Sequence, residues 1–247
     1  MRKILRLAAR SLTTLTGICA AVYALYVLAA WCTYGKQYRG LGADRLADEF
    51  MPIYEVREEH HIAIRAPAAT TMAAAWSISL EDSPIAQAIF KGRELLLHAH
   101  RSNAPHPHAF IEWAQSLGWR ILAERPGHEI VFGSVTQPWK ADVVFIPISP
   151  SQFKAFDTAG YVKILFTLRA DRVSESASVF HTETRVVSTD VQSREKFRRY
   201  WATFSPGILL IRMALLPMVK AAAERAAKGK AGGGTLPDAC VPRNATV

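Results

Sequence analysis

The clearest pattern in the chain is its first: from Ser11 to Tyr34 there is no charged residue, and Leu12 to Trp31 supplies the roughly 20 apolar residues that a helix needs to cross a hydrocarbon core. Arg2, Lys3, Arg6 and Arg10 precede it, and Lys36 and Arg39 come after it at lower density, which places the N-terminus in the cytoplasm and the rest of the chain outside. Tyr23, Tyr26, Trp31 and Tyr34 gather toward the far half, where aromatic rings favour the membrane–water boundary. A cleaved signal peptide shares the charged start and apolar middle. No A-x-A site is easily placed before Trp31, and neither Cys19 after Ile18 nor Cys32 after Trp31 suits a lipoprotein signal, so the segment is expected to persist as an anchor.

Beyond Tyr34 the pattern changes period several times. Gly35 to Met51, with Gly35, Gly40 and Gly42 among mixed charges, predicts a linker holding a short helix around Asp44 to Phe50. His61 to Ala66 alternates like a strand, Pro67 opens a helix over Ala68 to Trp76, and Ser83-Pro84 opens another through Ile85, Ile89, Phe90 and Leu95 to about Ala99. Arg101 to His108 is a proline-rich loop, succeeded by a short helix over Ala109 to Leu117. Strands are then predicted over Trp119–Glu124 and Glu129–Thr136, joined by Arg125-Pro-Gly-His, and over Asp142–Ile148 and Phe153–Thr158. Tyr161–Ala170 pairs with Ala177–Ser188 as the most strongly marked hairpin. Asp190 caps a helix through Phe204, Pro206-Gly207 interrupts or kinks it, and Ile208 to Ala227 continues it.

The expected organisation is therefore an anchor with basic flank at 1–34, a linker at 35–51, one α+β domain at 52–227 and a flexible tail at 228–247. The 247 residues and net charge of +9 fit one domain with an appended apolar segment. Because the basic cluster at the start adjoins that segment, the charge is read as meeting membrane lipid, and no nucleic-acid partner is expected. Cys19, Cys32 and Cys240 make no disulfide framework, and His60, His61, His98, His100, His106 and His108 fall in no metal-ligand spacing, so neither metal nor other cofactor is expected. Asn244-Ala-Thr246 matches a glycosylation triplet that chance also produces.

The order strand, two helices, several antiparallel strands and a long closing helix resembles the START-like, polyketide cyclase-like (SRPBCC) helix-grip superfamily, in an uncharacterised bacterial, membrane-anchored form. The residues that carry the resemblance are Ile62-Ala-Ile-Arg-Ala-Pro67 running into Ala68–Trp76, then Thr182–Val186, Phe197–Trp201 and Pro206–Arg212, within a match over about Glu55 to Arg225. The loop at Arg101–His108 departs from the pattern by lengthening one connection, at a cavity entrance it could cover. The resemblance implies a curved antiparallel sheet gripping the last helix, with a hydrophobic cavity between them.

On that fold the expected partner is a hydrophobic or amphipathic small molecule, a lipid or polyketide-like compound. Its expected lining is Trp76, Phe90, Phe166, Phe180, Thr182, Thr184, Tyr200, Trp201 and Phe204, with Trp139 in a loop able to gate it. In the last hairpin Val162, Ile164, Phe166 and Leu168 share the inner face with Thr182 and Thr184, whereas Lys163, Glu183 and Arg185 are expected as a solvated charge ladder outside. No nucleophile elbow, phosphate loop or HExxH motif is present, and an acid–base pair such as His181 with Glu183, alternate residues on one strand, is the kind of catalytic pair the sequence offers. No catalytic set is therefore assigned. A cyclase- or hydrolase-like enzyme on the same fold, and a cavity-free interaction protein using Ile208–Val219 as a membrane-contacting helix, stand as alternatives.

Overall fold

The computed structural model describes residues 2–40, 46–79, 83–84, 87–89, 91 and 110–232. In chain order these form α1 (Arg2–Thr33), β1 (Tyr38–Arg39), α2 (Leu46–Phe50), β2 (Ile53–Tyr54), β3 (Val56–Ile64), α3 (Ala68–Ser77), α4 (Phe110–Ser116), β4 (Arg120–Arg125), β5 (Glu129–Thr136), β6 (Phe145–Ile146), α5 (Pro150–Ala155), β7 (Val162–Ser174), β8 (Ala177–Ser188) and α6 (Val191–Gly232). Most of the helix expected from Ser83 to Ala99, Phe90 with it, the loop Arg101–His108 and the tail beyond 232 lie outside the described residues.

Antiparallel pairing in the order β3-β8-β7-β5-β4, with β6 also on β5, makes one curved sheet, and α6 lies across its concave face in the helix-grip arrangement. Alternation sorts each strand onto two faces. Ile64, Ile130, Phe132, Phe166, Leu168, Ala170 and Phe180 meet Leu215, Leu216, Val219 and Ala223 of α6 and Met72 and Ala75 of α3. Val56, Val162 and Val186 continue that face toward Phe197 and Trp201. The opposite face buries Val131, Val135 and Leu165 beneath Leu46, Ala47 and Phe50 of α2, Met51, Tyr54 and Phe153 of α5.

Local chemistry explains several joints. Between β4 and β5, Pro126 supplies the fixed φ of a first turn residue and Gly127 the φ of +71° required at the second, and the His128 N–H closes the turn on the Arg125 carbonyl at 3.0 Å. At α5, Ser149 accepts from the Gln152 N–H at 3.4 Å while Gln152 accepts from the Ser149 N–H at 3.0 Å, a capping box with Pro150 in the first turn. This corrects the strand expected over Phe153–Thr158: Ser149-Pro150-Ser151-Gln152 starts a helix that carries Phe153 into the convex core. The strand expected over Asp142–Ile148 is formed only at β6.

Two further expectations change. Of the interruption or kink expected at Pro206-Gly207, the interruption does not occur: Pro206 and Pro217 sit inside α6 without ending it, packing elsewhere along the helix outweighing the roughly 3 kcal/mol that an interior proline costs. The charge ladder of Lys163, Glu183 and Arg185 faces away from α6 but is not solvated: Glu183 is 4% and Arg185 2% exposed, since α2 and Tyr54 cover them. Arg185 donates to Glu183 at 2.6 Å, to the Met51 carbonyl at 2.9 Å and to Asp48 of α2, and its guanidinium lies 4.8 Å from the Tyr54 ring centre. Arg57 adds a second donor to Glu183 at 2.8 Å. Lys163 instead holds the end of α5, donating to the Phe153 and Lys154 carbonyls at 3.1 and 3.3 Å.

Among the described residues, two helices are long and apolar enough to cross a membrane, Thr13–Thr33 within α1 and Val191–Gly229 within α6. They differ in setting. α6 is held by the sheet, whereas α1 exposes Leu15, Ile18, Val22, Leu25 and Leu28 and meets α6 along its second half. There Tyr23 donates to the Thr203 carbonyl at 2.7 Å, Tyr26 bonds Ser205 at 2.9 Å, and Arg198 donates to the Trp31 carbonyl at 2.7 Å with its guanidinium 4.3 Å from the Trp31 ring centre.

Candidate functional site

Most of the concave face is apolar, but one patch is not. β3 and β8 pair with Glu58 opposite Thr184 and His60 opposite Thr182, so these four side chains stand side by side on the face toward α6. Arg212 reaches down from α6, donating to the Glu58 carbonyl at 3.3 Å and to the Thr184 hydroxyl. Tyr34, just beyond the end of α1, donates to the Glu58 carboxylate. β3, α6 and the end of the apolar helix thus converge on one residue, Tyr34 bonding the Glu58 carboxylate and Arg212 its main-chain carbonyl.

Electrostatics in the patch follow from burial. Desolvation pushes the Glu58 carboxyl above its ordinary range, and the nearby Arg212 charge only partly opposes it. Desolvation, the Arg212 charge and His61 together push the His60 imidazole down, so it is neutral at pH 7. Burial lowers Arg212 to about 10 against the pull of Glu58 and Glu183, which leaves it a cation at neutral pH. His60 Nδ1 is buried without a hydrogen-bond partner among the described residues, and so is the Trp201 indole N–H. A buried polar atom left unpaired costs about 1–3 kcal/mol, so both groups have hydrogen-bonding capacity to offer a third party.

Apolar surface flanks the patch on both sides. Toward α3 and α4, Phe166 stacks on Phe132 at 4.6 Å between ring centres and meets Trp119 at 4.9 Å and Phe110 at 5.9 Å. Toward α1, Trp201 meets Tyr34 edge-on at 5.7 Å and Phe197 at 5.7 Å, and Tyr200 packs on Phe204 at 5.1 Å. A cation, a carboxyl, a neutral imidazole and two hydroxyls set among aromatic rings can hold a molecule that is polar at one end and apolar elsewhere.

The residues expected from the sequence divide cleanly. Phe166, Phe180, Thr182, Thr184 and Trp201 lie buried on or against the concave face, with Tyr200 and Phe204 half-buried further along α6. Trp76 does not join them: α3 turns Thr71, Met72, Ala74 and Ala75 inward and leaves Trp76 37% exposed. Phe90 falls outside the described residues. Trp139 packs beside the Val56–Val162–Val186 cluster. His181 and Glu183 face away from α6; Glu183 is held by Arg57 and Arg185, and His181 lies 3.2 Å from Asp171. Among the described residues, no group of three or more His, Cys, Asp or Glu could hold a metal ion.

Glu58, His60, Tyr34 and Arg212 are not among the residues expected from the sequence. A strand begun at His61 cuts off the polar half of β3, although Val56, Glu58, His60, Ile62 and Ile64 alternate throughout. Arg212 leaves a plainer signal, as the lone cation between Ile208 and Val219.

No family model matches this sequence, and no curated protein matches it significantly. Among solved structures, the chain is similar to the Zhui aromatase/cyclase of a Streptomyces species at 13% identity, covering 73% of this chain and 99% of that one with a TM-score of 0.28. It is similar to a truncated norcoclaurine synthase from Thalictrum flavum at 11% identity, covering 66% and 92%, with a TM-score of 0.31. A hypothetical protein from Helicobacter pylori aligns at 7% identity over 75% and 99%, with a TM-score of 0.33.

Proposed function

We propose that this chain is a membrane-tethered binding protein for an amphipathic small molecule, held between the concave sheet and α6. One observation carries the reading: half-buried Glu58, His60 and Arg212 and buried Thr182 and Thr184 form a polar patch among the aromatic and aliphatic side chains of the concave face. The apolar body of the ligand packs on the Phe166 and Trp201 sides, and its polar end takes hydrogen bonds from Arg212 and the threonine hydroxyls. α1 is the tether, and the domain faces away from the cytoplasm. Tyr34 ties that tether to the patch itself.

Native mass spectrometry of the full chain released from detergent, with extraction of whatever travels with it, tests this. The expected result is a stoichiometric apolar or amphipathic adduct, with Arg212→Leu weakening retention by about 10- to 100-fold through loss of a charge-assisted hydrogen bond. An adduct that Arg212→Leu leaves untouched would move the site elsewhere.

A second reading, an enzyme acting through proton transfer, is favoured by one specific observation: Glu58 and His60 stand two residues apart on the same face of β3, where burial acts to raise the carboxyl and to lower the imidazole. It predicts that the extracted compound is chemically altered on incubation with the wild type and unaltered with Glu58→Gln.

A further inference from the structure

α6 carries a second feature that the polar patch does not use. Thr203, Pro206, Leu210, Met213, Pro217 and Ala221 recur at helical spacing over five turns, and all six are uncharged. Leu210 is 50% and Met213 59% exposed, and Pro217 and Ala221 are exposed as well. This outward stripe is about 27 Å long at 1.5 Å per residue. Exposed cations bracket it, Lys196 and Arg199 before it and Arg225 and Lys228 after it. Arg212, which points at the sheet, sits beside Met213, so the stripe runs along the back of the polar patch.

The stripe is continuous with α1. Trp31 meets Arg198, Tyr26 meets Ser205 and Tyr23 meets Thr203, so the two helices run in opposite senses from a shared aromatic end. From Trp31 to Tyr23 is about 12 Å of helix. With α1 crossing a bilayer, Trp31 and Arg198 lie at the boundary, and the succeeding residues of α6 are carried toward the acyl chains. An apolar stripe bracketed by cations is the chemistry that an anionic lipid surface accepts.

We infer that the Leu210–Met213 face of α6 is a second membrane contact, immersed at the headgroup–acyl boundary beside α1, so that the polar patch is held against the bilayer surface. This rests on the tethering reading of α1. The occupant is the bilayer in which α1 is embedded. Contact with it buries side chains that water now surrounds, and it leaves Arg212 free to serve the concave face.

Fluorescence quenching in vesicles tests it. The full chain, with Cys19, Cys32 and Cys240 replaced by serine, receives a bimane label at Leu25→Cys, Leu210→Cys, Met213→Cys or, as an aqueous reference, Glu195→Cys. Each is reconstituted in phosphatidylcholine–phosphatidylglycerol vesicles with or without nitroxide-bearing acyl chains, and then exposed to iodide. The expected result is loss of most emission to the lipid nitroxide at positions 25, 210 and 213, with quenching at 195 by iodide alone. Lipid quenching at 25 but only iodide quenching at 210 and 213 overturns the inference and leaves the tether standing. Lipid quenching at 210 and 213 without 25 keeps the contact and overturns the tether, and its absence at all three overturns both. Labels at 210 and 213 shielded from both quenchers would place a second copy of the chain on the stripe and overturn the inference.

Discussion

Glu183 and Arg185 show how much a charged residue's role depends on what lies over it. As an exposed pair two residues apart on one strand they would be worth a few tenths of a kcal/mol, but beneath α2 each is the counter-charge of a buried ion. Burial acts to raise the Glu183 pKa, but the hydrogen bond from Arg57 and the charge of Arg185 outweigh it and hold the carboxyl below its ordinary range. Arg185→Leu is therefore expected to cost about 3–5 kcal/mol in urea unfolding, because it leaves Glu183 and Asp48 in a covered site without their guanidinium. A loss under 1 kcal/mol would mean that the cluster is hydrated in solution.

The two lowered histidines give a pH dependence. Burial depresses both His60 and His181, with the Arg212 charge adding to it at His60 and the Arg169 charge adding to it at His181. A histidine whose folded pKa is below its unfolded one is protonated first in the unfolded chain. The stability that each contributes is thus complete above the ordinary value of 6.5 and is lost as pH falls below it. Melting temperature is expected to drop between pH 7 and pH 5, with a shallower slope in the double variant His60→Gln, His181→Gln. Parallel slopes would rule this source out.

Elements here are fixed at their ends more than along their lengths. Asp190 caps α6, accepting from the Ser193 N–H at 2.8 Å, the Ser193 hydroxyl at 2.6 Å and the Gly160 N–H at 2.5 Å. Those donors, the Ser193 hydroxyl foremost, hold its carboxyl well below the usual range. Asp190→Ala should cost about 1 kcal/mol of stability, read from denaturant unfolding at neutral pH, and the difference from wild type should shrink in acid. Between α4 and β4, Gly118 adopts φ +109°, and an added Cβ would lie 2.2 Å from the Phe145 carbonyl oxygen. Gly118→Ala is expected to destabilise by more than about 1 kcal/mol, because neither that backbone geometry nor β6 can yield cheaply. An unchanged midpoint would show that β6 moves aside freely.

On the scale of the whole molecule, α1 is tied into the domain rather than standing apart from it. Its last turn supplies the carbonyl and ring that Arg198 grips, and Tyr34 beyond it packs on Trp201 and bonds Glu58. Removing residues 1–34 is expected to leave the sheet folded, by far-ultraviolet circular dichroism, but to lower the melting temperature by several degrees, since a cation–π contact and an aromatic pair are each worth about 0.5–1.5 kcal/mol. An unaltered melting temperature would mean that α1 adds nothing to the stability of the sheet and α6. The segment at 35–51 likewise carries α2, whose Leu46, Ala47 and Phe50 are part of the convex core.

What the sequence determined by itself was whatever repeats locally. Twenty uncharged residues, the alternation of β5, β7 and β8, the Pro-Gly turn and the Asp190 cap each act within a few residues, so the α+β class, the concave register of Val162 to Leu168 and the inward Thr182 and Thr184 were legible. The capping box at Ser149 is equally local, although the apolar residues after it read as a strand. Only the tertiary structure decided which side of the sheet α2 covers, turning an apparent surface ladder into a buried cluster. It alone also brought Tyr34, Glu58 and Arg212 together from three distant elements. The physical reason is the same in both cases: burial and ionisation depend on the nearest atoms in space, and for these residues the nearest atoms are more than a hundred positions away along the chain or on another element altogether.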